Sequence, residues 1–388
     1  MNPLFKPSAA VFYIFFGLAM LDTVIPEINQ IVPVTSKPAT PKIQAAILLD
    51  VSGSMDGLIE QAKTQLWNMV SVMGKAKCDA GTPTFEIALY EYGRDSNDPG
   101  KGYIKQLSSF TTDLDSLSRD LFRLRTNGGS EYCGQVIHTS LDELQWDPSP
   151  SNYKVIFIAG NEDFLQGSVS YTIACEKAKK KGVIVNTIYC GPREMGIREH
   201  WNLGGECGSG SFTVINKDAQ EENILTPYDT TLYVLNKKLN GTYINYGTGG
   251  DYKLEAMVQT DALNYNHSAK ASAKRMEVKG NRQAYNNASW DLVDAGYYDS
   301  TFITKVDLKT LPDSLKNKSR AQLWELVKQK NAERDRVQKD IMNATVQREN
   351  YINAEKARRA NNKTEATLET EIERIIKEQA KRYNMNIQ

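Results

Sequence analysis

Between residues 43 and 218 the chain repeats one pattern: a short, mostly apolar run, a longer stretch with helical spacing, then another apolar run. The apolar runs fall at 43–50, 84–92, 154–159, 183–189 and 211–215, and the helical stretches at 58–75, 114–125, 134–145, 169–181 and 193–203. A strand that is apolar at nearly every position has no face to give to water, so both of its faces must be covered. Helical crossovers between such strands provide that cover and make the strands parallel. The pattern therefore predicts an α/β fold, a doubly wound and mostly parallel sheet. In such a sheet ligands sit beyond the carboxyl ends of the strands.

The flanks differ in kind. Residues 1–21 hold Lys6 followed by the apolar run 9–21, which is 13 residues long. That is the length of a signal-peptide core and short for a spanning helix. An export signal, cleaved or retained as an anchor, is expected there, with a Pro-punctuated tether at 22–42. Residues 219–315 are rich in Gly, Asn, Tyr and Asp, and are expected to form an irregular extension with one helical stretch near 252–274. Residues 316–388 lack Pro and Gly and are highly charged. Leu323, Leu326, Val327, Val337, Ile341, Ala344 and Ile352 make a loose helical stripe, and Leu368, Ile372, Ile375 and Ile376 a tighter one. Two helices are expected, broken at Asn361-Asn362-Lys363 and with Thr364 as the second cap, paired as an antiparallel hairpin or as a self-associating coiled coil. They look too polar to supply a core, so the 43–218 domain is expected to stand without them.

Composition removes several function classes. The chain has 388 residues, with 47 basic side chains against 47 acidic and three His. A net charge of zero offers no global field for nucleic acid. The three His are far apart, and no HExxH, GxxxxGK[ST] or GxSxG occurs. Five Cys without a CxxC pair suggest neither a zinc knuckle nor a redox motif, but small buried thiols with one or two disulfides. Cys133 reads as structural rather than nucleophilic.

The chemistry sits at the end of the first apolar run, in Asp50-Val51-Ser52-Gly53-Ser54-Met55. A carboxylate and two hydroxyls at alternate positions, on the loop leaving a parallel strand, converge on one point. Hard divalent cations take such oxygen ligands, and Mg2+ keeps open positions for water or a partner.

This loop resembles the metal-ion-dependent adhesion site of the von Willebrand factor type A (VWA) family, specifically a bacterial exported subgroup. The resemblance covers roughly residues 43–218 and implies a Rossmann-like fold with a metal on its upper rim. In that family a second loop supplies a Thr and a third an Asp. Here the second loop is 126–134, where Ser130 stands in as the hydroxyl ligand and Glu131 offers a further carboxylate. On the third loop Gly160 occupies the Asp position, followed by Asn161, Glu162 and Asp163. The resemblance thus implies Asp50, Ser52, Ser54, Ser130 and Glu162 as metal-site residues, with Glu131, Asn161 and Asp163 as additional ones.

The expected function is a non-enzymatic, exported binding module in the periplasm, envelope or extracellular space. It would hold Mg2+, or Mn2+ or Ca2+, and offer it to a protein partner's carboxylate. No catalytic residue is named and no nucleic acid is expected. The membrane enters only through an uncleaved N-terminal segment. The competing expectations are an envelope scaffold acting through the C-terminal helices and a metal-dependent hydrolase subunit.

Overall fold

Strand β1 (Lys42–Asp50) is buried from Ile43 to its end and forms the middle of a six-stranded sheet. The computed structural model describes residues 41–79, 81–218, 224–359 and 367–387. The expected export segment and all but the last two residues of the tether lie outside them. β1 pairs in parallel with β2 (Thr84–Tyr92) on one side and β4 (Tyr153–Gly160) on the other. β5 (Ile184–Cys190) and β6 (Ser209–Ile215) continue beyond β4 in parallel. β3 (Ile104–Thr111) closes the far edge, antiparallel to β2. The order is therefore β3-β2-β1-β4-β5-β6. This is the predicted doubly wound, mostly parallel sheet, and its strand order reverses at β1. β3 escaped sequence reading because it is an edge strand whose Lys105, Gln106 and Ser109 face water, so it carries no apolar run.

Alternate β1 residues serve opposite layers. Ile43, Ala45, Ile47 and Leu49 join a core with α1 (Asp56–Gly74) and α2 (Leu114–Arg123). Ala46 and Leu48 face α3 (Cys133–Glu143), α4 (Tyr171–Lys181) and Trp201. Trp201 opens α6 (Trp201–Cys207), which follows the short α5 (Arg193–Arg198). A disulfide joins Cys175 of α4 to Cys207 of α6, while Cys78, Cys133 and Cys190 are free thiols.

The sheet is not finished when β6 ends. Five helices follow: α7 (Tyr228–Asn240), α8 (Gly250–His267), α9 (Ala269–Gly280), α10 (Leu292–Tyr298) and the long α11 (Arg320–Arg358). The expected irregular extension is thus mostly helical. Its helices were hidden because they bury polar side chains, so no apolar stripe marks them. α8 turns Thr260, Asp261 and Asn264 inward, and α9 buries Arg275, Glu277 and Lys279.

α12 (Leu368–Ala380) then returns to the sheet. It packs against α1 and β6, whereas α11 packs against α7, α9 and α10, so the two do not pair as the expected hairpin. The cap of α12 is Thr367, whose hydroxyl accepts from the Thr370 amide, and Thr364 lies outside the described residues. Leu368, Ile372, Ile375, Ile376 and Ala380 belong to the same core as Ile47, Leu49 and Leu66. One compact unit spans 39–388. The doubly wound domain therefore draws one of its covering helices from the chain's last residues.

Charge fastens the inserted helices to the sheet domain. Arg275 of α9, fully buried, donates to Asp261 at 2.5 Å and to Asp115 of α2 at 2.7 Å, and lies 4.6 Å from the Trp67 ring of α1. Lys279 reaches Asp261, Asn236 and Asn240, and the Tyr285 hydroxyl donates to Asp115 at 2.6 Å. Burial alone would raise Asp261, but Arg275 and Lys279 hold it well below the usual carboxylate range. Among the described residues, no helix is long and apolar enough to cross a membrane.

Candidate metal centre

The carboxyl ends of β1, β2 and β4 meet at the reversal in strand order, and three loops converge there. The first loop leaves β1 at Asp50 and turns so that the Met55 amide donates to the Ser52 carbonyl at 3.1 Å. The second, 126–132, is tied to the first by the Asn127 amide on the Val51 carbonyl at 3.0 Å. It is tied to the segment after β2 by the Asp95 amide on the Gly128 carbonyl at 2.6 Å. The third, 161–165, is held from the α5–α6 side. The Trp201 indole donates to the Glu162 carbonyl at 2.7 Å, and the Phe164 amide to the Glu199 carbonyl at 2.9 Å.

Asp50 is 0% exposed, Ser52 5% and Glu131 6%. Asp50 Oδ1 accepts from the Ser52 amide at 2.7 Å. Asp50 Oδ2 and Ser52 Oγ are buried with no hydrogen-bond partner. Ser52 lies close enough to both carboxyls to draw their pKa values down somewhat, yet its hydroxyl meets neither in a bond of ordinary geometry. Buried oxygens without partners are rare, because desolvating one costs about 1–3 kcal/mol.

Gly93 separates the two acids. A Cβ there would lie 3.0 Å from Asp50 Oδ1 and 3.0 Å from Glu131 Cγ, and φ is +84° at this residue. Both demands select glycine, and its missing side chain lets the carboxyls converge. Burial pushes Asp50 up to about 6, with Glu162 adding to the rise. Burial likewise pushes Glu131 up to about 7, helped by Asp50 and Glu162. No cationic side chain appears among the groups acting on either acid.

The remaining expected residues divide. Ser54 stands at the rim, where Asn161 Nδ2 donates to its Oγ at 3.2 Å. Ser130 is half-buried beside Glu131. Glu162 is exposed, close enough to raise both buried acids. Asp163 turns away, accepting from the Leu165 amide at 3.0 Å and meeting His200 Nδ1 at 3.0 Å. Thr126 is engaged with the Asp56 carboxylate. Cys133 is fully buried against the Tyr92 hydroxyl at 3.8 Å, and burial pushes its thiol far up, as befits a structural thiol.

Sequence reading missed two residues. The Tyr92 hydroxyl donates to the Ala159 carbonyl at 3.0 Å beneath the site, and Gly93 makes room between the acids. Neither carries a signal outside the fold, since a Tyr and a Gly at a strand end are ordinary. Among the described residues, no three His, Cys, Asp or Glu side chains gather as a metal cage. An ion here would therefore lean on hydroxyls and water as well as carboxylates.

No family model matches the chain, and no curated protein matches it. Solved structures do. An aerotolerance-related membrane protein from Bacteroides fragilis is 15% identical, over 45% of this chain and 93% of that one, with a TM-score of 0.32. The conserved hypothetical protein BatB from Bacteroides thetaiotaomicron is 15% identical over 45% and 90%, with a TM-score of 0.34. Proximal thread matrix protein 1 from the mussel byssus, with a zinc-occupied MIDAS motif, is 13% identical over 45% and 42%, with a TM-score of 0.31. Likeness at this level carries no functional weight.

Proposed function

We propose that the chain is an exported, non-enzymatic binding module of the VWA type, holding a divalent cation at the Asp50 loop for a protein partner's carboxylate. One observation carries the reading. Asp50 Oδ2 and Ser52 Oγ are buried oxygens without partners, beside a second buried acid and with no cation among the groups acting on them. A hard divalent ion answers all of these at once, and Mg2+ suits so few carboxylates best, with Mn2+ or Ca2+ next. Asp50, Ser52 and Ser54 would hold it, with Ser130 and Glu162 at the rim. When bound, the ion supplies an open position for an acidic group. The surrounding residues orient the loop. Tyr92 and Gly93 fix the strand ends, and Asn161 must release the Ser54 hydroxyl.

Asp50→Ala should abolish cation binding. Calorimetric titration of MgCl2 or MnCl2 into the full chain should give a saturable heat for the wild type and none for the variant; equal heats would refute the site.

The ion-free protein should also show an inverted pH dependence. Asp50 and Glu131 have folded-state pKa values raised above their ordinary ones, so the folded chain binds protons that the unfolded chain releases. Their stabilising contribution is full below about pH 4 and is lost as pH rises through about 6 to 7. In EDTA the melting temperature should fall across that window. Excess Mg2+ should restore it at pH 7.5 and do little at pH 5, where protons compete with the ion. A cation response equal at both values would count against these acids as ligands.

Export rests on Lys6 with its apolar run and on the Cys175–Cys207 disulfide, a bond that persists in oxidising compartments. Cell fractionation should place the chain outside the cytoplasm; a full-length cytoplasmic product retaining Met1 would overturn it.

A further inference from the structure

The geometry points to Glu131, on the loop before α3, as the second anionic ligand of this centre, taking the place of the third-loop carboxylate that Gly160 removes. The inference rests on the metal reading above and concerns which loop supplies the second charge. Its first support is steric. A Cβ at residue 160 would lie 2.6 Å from the Tyr92 hydroxyl and 3.0 Å from Asp50 Oδ2, so the end of β4 has no room for an aspartate. Tyr92 cannot move aside easily, because it is fully buried and its hydroxyl is tied to the Ala159 carbonyl.

The second support is placement. Glu131 is buried on the opposite side of Asp50, and only the missing side chain of Gly93 separates its Cγ from Asp50 Oδ1. A glutamate with a merely solvating role would turn outward, as Glu162 does. Here two carboxyls and the partnerless Ser52 hydroxyl face one spot, and burying like charges together without a cation is costly. The third-loop alternatives are weaker. Asp163 is committed to His200 and the Leu165 amide, and Asn161 is neutral and engaged with Ser54. Two buried carboxylates also match the charge of a divalent ion, so the ion should bind this chain without any partner.

Calorimetry with MnCl2 on the full chain tests this, comparing the wild type with Glu131→Gln and Glu162→Gln, together with melts of all three in EDTA. Loss of a directly ligating carboxylate should weaken binding by about tenfold or more in Glu131→Gln, whereas Glu162→Gln should stay within about threefold. In EDTA the Glu131→Gln melt should equal or exceed the wild type, because a like charge beside Asp50 is gone. That rise separates a ligand from a packing residue. Binding by Glu131→Gln within about threefold of wild type would overturn the inference while leaving the metal reading intact. Weakened binding with a matching fall of the EDTA melt would assign Glu131 to packing and overturn it too. No binding by the wild type would remove both.

Discussion

A chain ending at residue 359 should lose its cooperative thermal transition. The sequence-based expectation was the reverse, since residues 316–388 are charged and the doubly wound pattern closes by residue 218. The packing decides against it. Leu368, Ile372, Ile375, Ile376, Ala380 and Met385 lie in the core that Ile47, Leu49, Leu66 and Phe157 form above the sheet. Deleting one such side chain to Ala typically costs about 2–5 kcal/mol. Losing a whole helix of them compares with the entire stability of a domain, about 5–15 kcal/mol. Polar contacts go as well. Gln379 accepts from the Tyr153 hydroxyl at 2.9 Å and donates to Asn186 at 2.7 Å, so truncation leaves buried polar groups in the sheet unpaired. Ile376→Ala in the full chain gives a graded version, with an expected loss of about 2–5 kcal/mol in urea unfolding. A sharp, unshifted melt of the shortened chain would mean that α12 merely rests on a finished domain.

The second large effect is expected at Arg275. Replacing it by Met leaves Asp115 and Asp261 buried with their main cation gone. Removing one partner of a buried ion pair costs about 3–5 kcal/mol. Lys279 offsets part of this for Asp261 but makes no bond to Asp115, which keeps only the Tyr285 hydroxyl. Methionine preserves the stack on Trp67 in volume, so the loss reports charge rather than a cavity. Chemical denaturation should therefore show a midpoint drop equivalent to about 3–5 kcal/mol, and the double variant Arg275→Met with Asp115→Asn should recover part of it. An unchanged midpoint would show that these charges are reached by water. The consequence would extend past stability, because Asp115 sits on α2 and Arg275 on α9, so this network fastens the inserted helices to the sheet domain.

How much of this could be read from residues alone differs by region. The β1 loop was legible in full: an apolar strand, then Asp50, Ser52 and Ser54 at alternate positions, can only expose its oxygens beyond the strand end. The helices at 228–280 were not, because their inward faces carry Thr260, Asp261, Asn264, Arg275 and Lys279, and a charged face reads as solvated until its counter-charges are placed. β3 was not, because an edge strand needs no apolar alternation. Glu131 was visible as an acid near the site, but its burial beside Asp50 depends on Gly93, more than thirty residues away in the chain.

Local order therefore came from the sequence itself. Hydrophobic periodicity determined the strands and helices of the 43–218 region, the doubly wound class and the oxygen-bearing loop, since each depends on residues within one element or one turn. Tertiary structure alone decided three things: that α12 closes the first domain, that Arg275 and Lys279 belong inside, and that Glu131 rather than the end of β4 faces Asp50. Each is a pairing between distant segments. Burial of a charge or a covering helix is favourable only against a particular partner, and a single pass along the chain does not contain that partner.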